Sequence, residues 1–125
     1  MVESFIVSKL DTIPELRNQF YPSAAPVGEC DPPFSVYSVV NSTPTYDLYG
    51  ELTYYTDTIR VHFLGDDNDV LCSLVETAEK VLSVKCEEWE EFYIFSSSVR
   101  GEPDGFDMNL SMFRKTVFVT VLYWR

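Results

Sequence analysis

Between Ile59 and Leu82 the apolar repeat of the chain changes from two residues to about three and a half, and this switch constrains the fold more than any other stretch. Ile59, Val61 and Phe63 alternate with Thr58, Arg60 and His62, the period of a strand with one wet face, so a strand is predicted over Glu51 to Leu64. Gly65 closes that run. Asp66-Asp67-Asn68-Asp69 then supplies helix-capping side chains, and Leu71, Leu74, Val75, Ala78 and Leu82 follow at i, i+3, i+4, i+7 and i+11, one face of an amphipathic helix.

The flanks decide which sheet this strand and helix belong to. Val2, Ile6, Ile13, Leu16 and Phe20 keep helical spacing, but Pro14 cannot sit inside a continuous helix. An N-terminal helix in two pieces is predicted, broken near Asp11. Four prolines and Gly28 between Tyr21 and Pro33 forbid helix and central strand, leaving an extended crossing segment. Phe34 to Val40 alternates as a strand, and Asn41 to Gly50, with Pro44 and Gly50, reads as a long hairpin connection. Strands over Trp89 to Val99 and Asn109 to Trp124 are separated by Gly101-Glu-Pro-Asp-Gly105 turn chemistry. The expected class is α+β, a single domain over 1–125. Its antiparallel sheet carries two helices on one face, in the order α-β-β-α-β-β.

Composition narrows the function classes. Twenty Asp and Glu against nine Lys and Arg give a net charge of −11 in 125 residues, which disfavours nonspecific nucleic-acid binding. Residues 66 to 107 hold twelve of the acidic residues and three of the basic ones. The first twenty residues lack the apolar run of a signal peptide. The most hydrophobic tract, Thr116 to Trp124, is strand length, too short for a membrane helix. Cys30, Cys72 and Cys86 lack any CxxC spacing and read as buried free thiols.

Catalytic signatures are missing from the sequence. His62 is the single histidine and reads as a surface residue on a strand. Asp66 to Asp69 lack the glycine and distal glutamate of a calcium loop, so helix capping explains them better. No P-loop, GxGxxG or GxSxG occurs. A non-enzyme without cofactor or metal is expected. Tyr46, Tyr49, Tyr54 and Tyr55 cluster around the 41–50 connection; interface anchoring and cross-strand pairing are equally open readings of them. Glu87, Glu88, Glu90 and Glu91 flank Trp89, either as a solvated rim that protects an edge strand or as a field that repels DNA or selects a basic partner.

The order of short motifs resembles a family of small tail-completion, or tail-terminator, proteins that join head to tail in long-tailed bacteriophages and related prophages. Its carriers are Ile13-Pro-Glu-Leu16 at the end of the first helix, Gln19-Phe-Tyr-Pro22 with Ala25-Pro26, and Pro33-Phe-Ser-Val-Tyr-Ser38. Thr58 to Phe63 leading into the second helix, and a terminal hairpin with Asp104 to Met112 as connection and Arg114 to Tyr123 as last strand, complete them. The Asn41 to Gly50 loop has no counterpart among these motifs. The resemblance implies a virion component, assembled in the host cytoplasm. Its subunits would close into a hexameric ring capping the tail tube, with the major tail tube protein and the head connector or stopper as partners. DNA would pass through without specific binding.

Within that picture Tyr46, Asp47 and Tyr49 are expected at the contact between subunits. Asp104, Phe106 and Asp107 are expected at an axial contact, and Glu87, Glu88, Glu90 and Glu91 along the channel. The competing expectation is an acidic interaction protein, a DNA mimic that binds a basic host protein.

Overall fold

The computed structural model describes residues 2–14, 20–22, 33–89, 92–102, 105–107 and 112–124. Nine elements follow in chain order: α1 (Val2–Leu10), β1 (Phe20–Pro22), β2 (Phe34–Tyr46), β3 (Leu52–Gly65), α2 (Asn68–Leu82), β4 (Val84–Trp89), β5 (Phe92–Gly101), β6 (Gly105–Asp107) and β7 (Met112–Trp124). The α+β class holds. The expected order lacked β1, β4 and β6. The strands lie in the order β1-β2-β3-β7-β5-β4, with β6 on β7. From β2 to β4 every neighbour is antiparallel, and β1 is a parallel edge strand on β2, a position that accommodates Pro22.

The helices form where capping and apolar spacing agree. Asp67, in extended conformation, accepts from the N–H groups of Asp69 and Val70 at 2.9 and 3.3 Å. Its carboxylate thus satisfies two orphan donors of α2 at the positive end of the helix dipole. Leu71, Leu74, Ala78 and Leu82 turn inward. Helix α1 stops at Leu10, next to the expected break, and a tight turn carries the Thr12 and Ile13 N–H groups onto the Lys9 and Leu10 carbonyls. The second piece falls on residues 15–19, outside the described residues.

Phe5, Ile6 and Leu10 of α1 join the α2 leucines in one core cluster against Ile59, Val61 and Phe63 of β3 and Val117, Val119 and Val121 of β7. Both helices therefore cover the same face of the sheet, as the alternation in β3 requires. Phe34, Val36 and Leu64, with Met112 packed on them, make a second and smaller cluster. Its strand positions alternate with the helix-facing ones, which puts it on the opposite face.

Three readings are corrected. Asn41 to Tyr46 is strand, not loop, pairing with β3 from Asn41↔Thr58 to Tyr46↔Leu52 around a bulge at Val40. The strand expected over Trp89 to Val99 is β5, which starts at Phe92, and an unexpected strand, β4, precedes it from Val84 to Trp89. Cys86 is exposed rather than buried, because it sits with φ 53° where the β4 register skips from Lys85↔Ser96 to Glu87↔Ile94. Cys72 is half-buried on α2, and both thiols are free. Cys30 lies outside the described residues.

One buried carboxylate ties three strands together. Asp57 is 1 % exposed and accepts hydrogen bonds from Ser42 Oγ at 2.6 Å and Tyr123 OH at 2.9 Å. Ser42 belongs to β2 and Tyr123 to β7, so the carboxylate links all three strands two rows before the β3–β7 ladder ends at Tyr55↔Tyr123. Tyr55 stacks on Tyr123 at 5.4 Å beside it. Asp57→Ala leaves two donors without their acceptor and is expected to cost about 2 kcal/mol. Urea unfolding measures this, and Asp57→Asn, which keeps an acceptor, is expected to lose less.

Candidate functional site

The β2–β3 hairpin overhangs the sheet. Strand β3 meets β7 only from Tyr55 onward, and β2 meets β1 only up to Tyr37. Among the described residues, β2 from Asn41 pairs only with β3, and β3 before Tyr55 pairs only with β2. Five residues from Tyr55 to Gly50 give the free arm a length of about 16 Å at some 3.3 Å per residue. Two-stranded hairpins are marginal in water by themselves, so the arm needs local reinforcement at its tip.

Asp47 supplies that reinforcement. Its Oδ1 accepts from the N–H groups of Tyr49 and Glu51 at 2.8 and 2.9 Å, while its own N–H donates to the Glu51 carbonyl and its carbonyl accepts from Gly50. Gly50 has φ +80° with open space around it, a left-handed position that glycine takes without steric cost. The turn thus ordered presents apolar side chains to solvent: Leu48 is 101 % exposed, Tyr49 91 % and Tyr46 59 %. Contiguous apolar side chains held outward on a protruding element are characteristic of contact surfaces.

The expected contact residues are therefore brought together at one tip, with different roles. Tyr46 and Tyr49 are exposed rings, whereas Asp47 organises the turn through one carboxylate oxygen. Leu48, which the sequence reading passed over, is the most exposed of the group. Of the other two tyrosines, Tyr55 packs against the helix-side core and stacks on Tyr123, so exposed and cross-strand rings are divided along the hairpin.

Glu87 and Glu88 do not share a surface. Glu87 turns toward α1 and pairs with Lys9 Nζ at 2.7 Å. Glu88, one residue on, is exposed and faces the other side of β4 opposite Tyr93. These two carboxylates therefore lie on opposite faces of β4, as neighbouring strand residues do. Glu90 and Glu91 lie outside the described residues, as does Asp104. Phe106 and Asp107 contribute backbone to β6, opposite Phe113 and Met112.

Away from the Phe34, Val36 and Leu64 cluster, the face of the sheet opposite the helices is polar and cationic. Arg60, Phe118 and Arg100 stand in one row across β3, β7 and β5, with the Arg100 guanidinium 5.2 Å from the Phe118 ring centroid. Thr58, Thr120 and Ser98 form the next row, and Thr56, Leu122, Ser96 and Lys85 the one after. On the same face, in the row beyond Arg60, His62 is half-buried and hydrogen-bonded to Thr116 Oγ1 at 2.7 Å, a strand-pairing role rather than a free surface imidazole. Arg114 lies over Gly105, where a Cβ would meet its guanidinium at 2.9 Å. Tyr93 holds its proton above the ordinary tyrosine range, chiefly through its hydrogen bond to the Cys86 side chain, then through the Cys86 charge, burial and the Glu88 carboxylate.

No arrangement of nucleophile, base and oxyanion donors is present among the described residues, and a shallow groove along α2 is lined by Asp69, Val70, Ser73, Leu74 and Thr77 without convergent catalytic groups. No protein-family model matches the chain, and no curated protein matches it either.

Asp47→Ala is expected to loosen the arm tip alone. Chymotrypsin cleavage after Tyr46, Leu48 or Tyr49 should accelerate several-fold, while global stability stays within about 0.5 kcal/mol, the usual range for a surface change. A matched fall in global stability would show that the tip is part of the cooperative core.

Proposed function

We propose that the chain is a structural subunit that self-associates into a ring, and that the ring is the tail-completion element of a long-tailed phage, terminating the tail tube and joining it to the head connector. The observation that carries this reading is the overhanging β2–β3 arm, which places Tyr46, Leu48 and Tyr49 in solvent at the end of a ribbon that, among the described residues, pairs only with itself. A lone molecule gains nothing from that arrangement, whereas a neighbouring copy covers it. Closed rings arise when one surface of a subunit meets a different surface of the next.

The chain's charge agrees with the role. A net charge of −11 discourages adsorption of a passing duplex. The two kinds of contact expected of such a ring also fall apart in space. Tyr55 pairs with Tyr123 at the arm end of β7, whereas Gly101 pairs with Val117 toward its other end. Lateral contact through the arm and axial contact through the connection that begins after Gly101 therefore use opposite ends of the sheet. Under this reading the tube protein and connector are the axial partners.

Size-exclusion chromatography with light scattering, followed by negative-stain microscopy, tests the reading. Wild type should form rings at high protein concentration, and the Tyr46→Ala, Tyr49→Ala double variant should elute as a folded monomer. A wild-type chain that stays monomeric at every concentration and instead captures a basic protein would favour a DNA mimic.

A further inference from the structure

The open sheet face is out of keeping with the rest of this acidic chain. Among the described residues it carries Arg60, Lys85, Arg100 and Arg114, four of the nine Lys and Arg, against Glu88 and Glu102 at its margins. None of these four cations forms an ion pair with a described carboxylate. Between the arginines Phe118 is half-buried, and Leu122 is half-buried two residues on, so the patch offers apolar surface framed by positive charge.

We propose that this face is the seat for the β2–β3 arm of a second copy of the chain; the proposal rests on the ring-forming reading and names the surface that receives the arm. The arm has the complementary chemistry. It bears Asp47 and Glu51 and no cation between Val39 and Thr56, and its Tyr46 and Tyr49 rings offer π faces to guanidinium groups. The dimensions match as well. Arg60 and Arg100 stand two strands apart, about 10 Å at the usual strand spacing, the width of a two-stranded ribbon with its side chains. The arm cannot reach its own face, because β3 runs continuously from Leu52 to Gly65 and carries the arm outward from the edge of the β7 pairing. Donor and seat are therefore different surfaces of one chain, the condition for head-to-tail closure. A phosphate polyanion is the less favoured occupant, since its approach is opposed by the chain's twenty carboxylates.

Two variants and their mixture test the pairing by light scattering. Arg60→Glu with Arg100→Glu breaks the seat but leaves the arm, and Tyr46→Ala with Tyr49→Ala breaks the arm but leaves the seat. Each alone should lose all species above monomer while keeping the wild-type circular dichroism and melting temperature. Their equimolar mixture should form a 1:1 dimer and nothing larger. Arg60→Gln with Arg100→Gln should weaken association less than charge reversal does, and salt should weaken the wild type.

Wild-type assembly by the seat variant, or a mixture that stays monomeric or grows beyond the dimer, overturns the seat and leaves the ring reading standing. A wild type that never associates overturns both. Binding of a fluorescent single-stranded or duplex oligonucleotide by wild type, lost in the seat variant, overturns the proposal in favour of a nucleic acid.

Discussion

The eleven-residue ladder between β3 and β7 is the constraint from which the other features derive. Its side chains alternate across the sheet, so Ile59, Val61 and Phe63 meet Val119, Val117 and Lys115 on the helix side, while Thr58, Arg60 and His62 meet Thr120, Phe118 and Thr116 on the other. One face is thereby committed to α1 and α2, and the other is left for polar and cationic groups. The ladder also has unequal ends. At Gly65 the chain turns into α2, packing so closely that a Cβ there would stand 3.4 Å from Leu71 Cδ1. At Tyr55 the ladder ends while β3 continues outward with β2, and the excess length becomes the arm.

Much of this was legible in the sequence because it rests on local periodicity. The alternation of β3, the Asp67 cap and the i, i+3, i+4, i+7 leucines of α2 each follow from neighbouring residues. The misread stretches lack that property. Asn41 to Tyr46 is polar and contains Pro44, which reads as a loop. It forms strand because β2 there is an edge among the described residues, with β3 as its one neighbour, the position in a sheet that tolerates proline. Strand β4 was obscured by the Cys86 bulge, which shifts the phase so that Glu87 and Trp89 share the helix side. There Trp89 packs edge-on against Phe5 at 6.1 Å, and Lys9 neutralises the carboxylate that the shift carries inward.

The candidate site was legible in part for the same reason. Tyr46 and Tyr49 lie three residues apart in sequence, so their shared exposure could be read from a single segment, although the hydrogen bonds that commit Asp47 to the turn could not. The cationic face left no local trace. Arg60, Lys85, Arg100 and Arg114 are scattered over 55 residues and come together through the order β3-β7-β5-β4, which composition and period do not specify. In a segment dominated by carboxylates, the few cations looked like dilution of an acidic run, and topology converts them into a coherent patch.

The bulge at Val40 gives this arrangement a geometric variable that no contact surface contains. A bulge bends its strand and increases the local twist, and this one lies in β2 opposite Ile59 and Thr58, three rows before β3 parts from β7 and the arm begins. In a closed assembly of the proposed kind, the direction of the arm fixes the rotation from each subunit to the next, and that rotation fixes how many copies complete the circle. Stoichiometry would then be written in the backbone at one valine rather than in the affinity of any pair of side chains. Removing the extra residue would preserve every contacting group and alter the diameter of the opening.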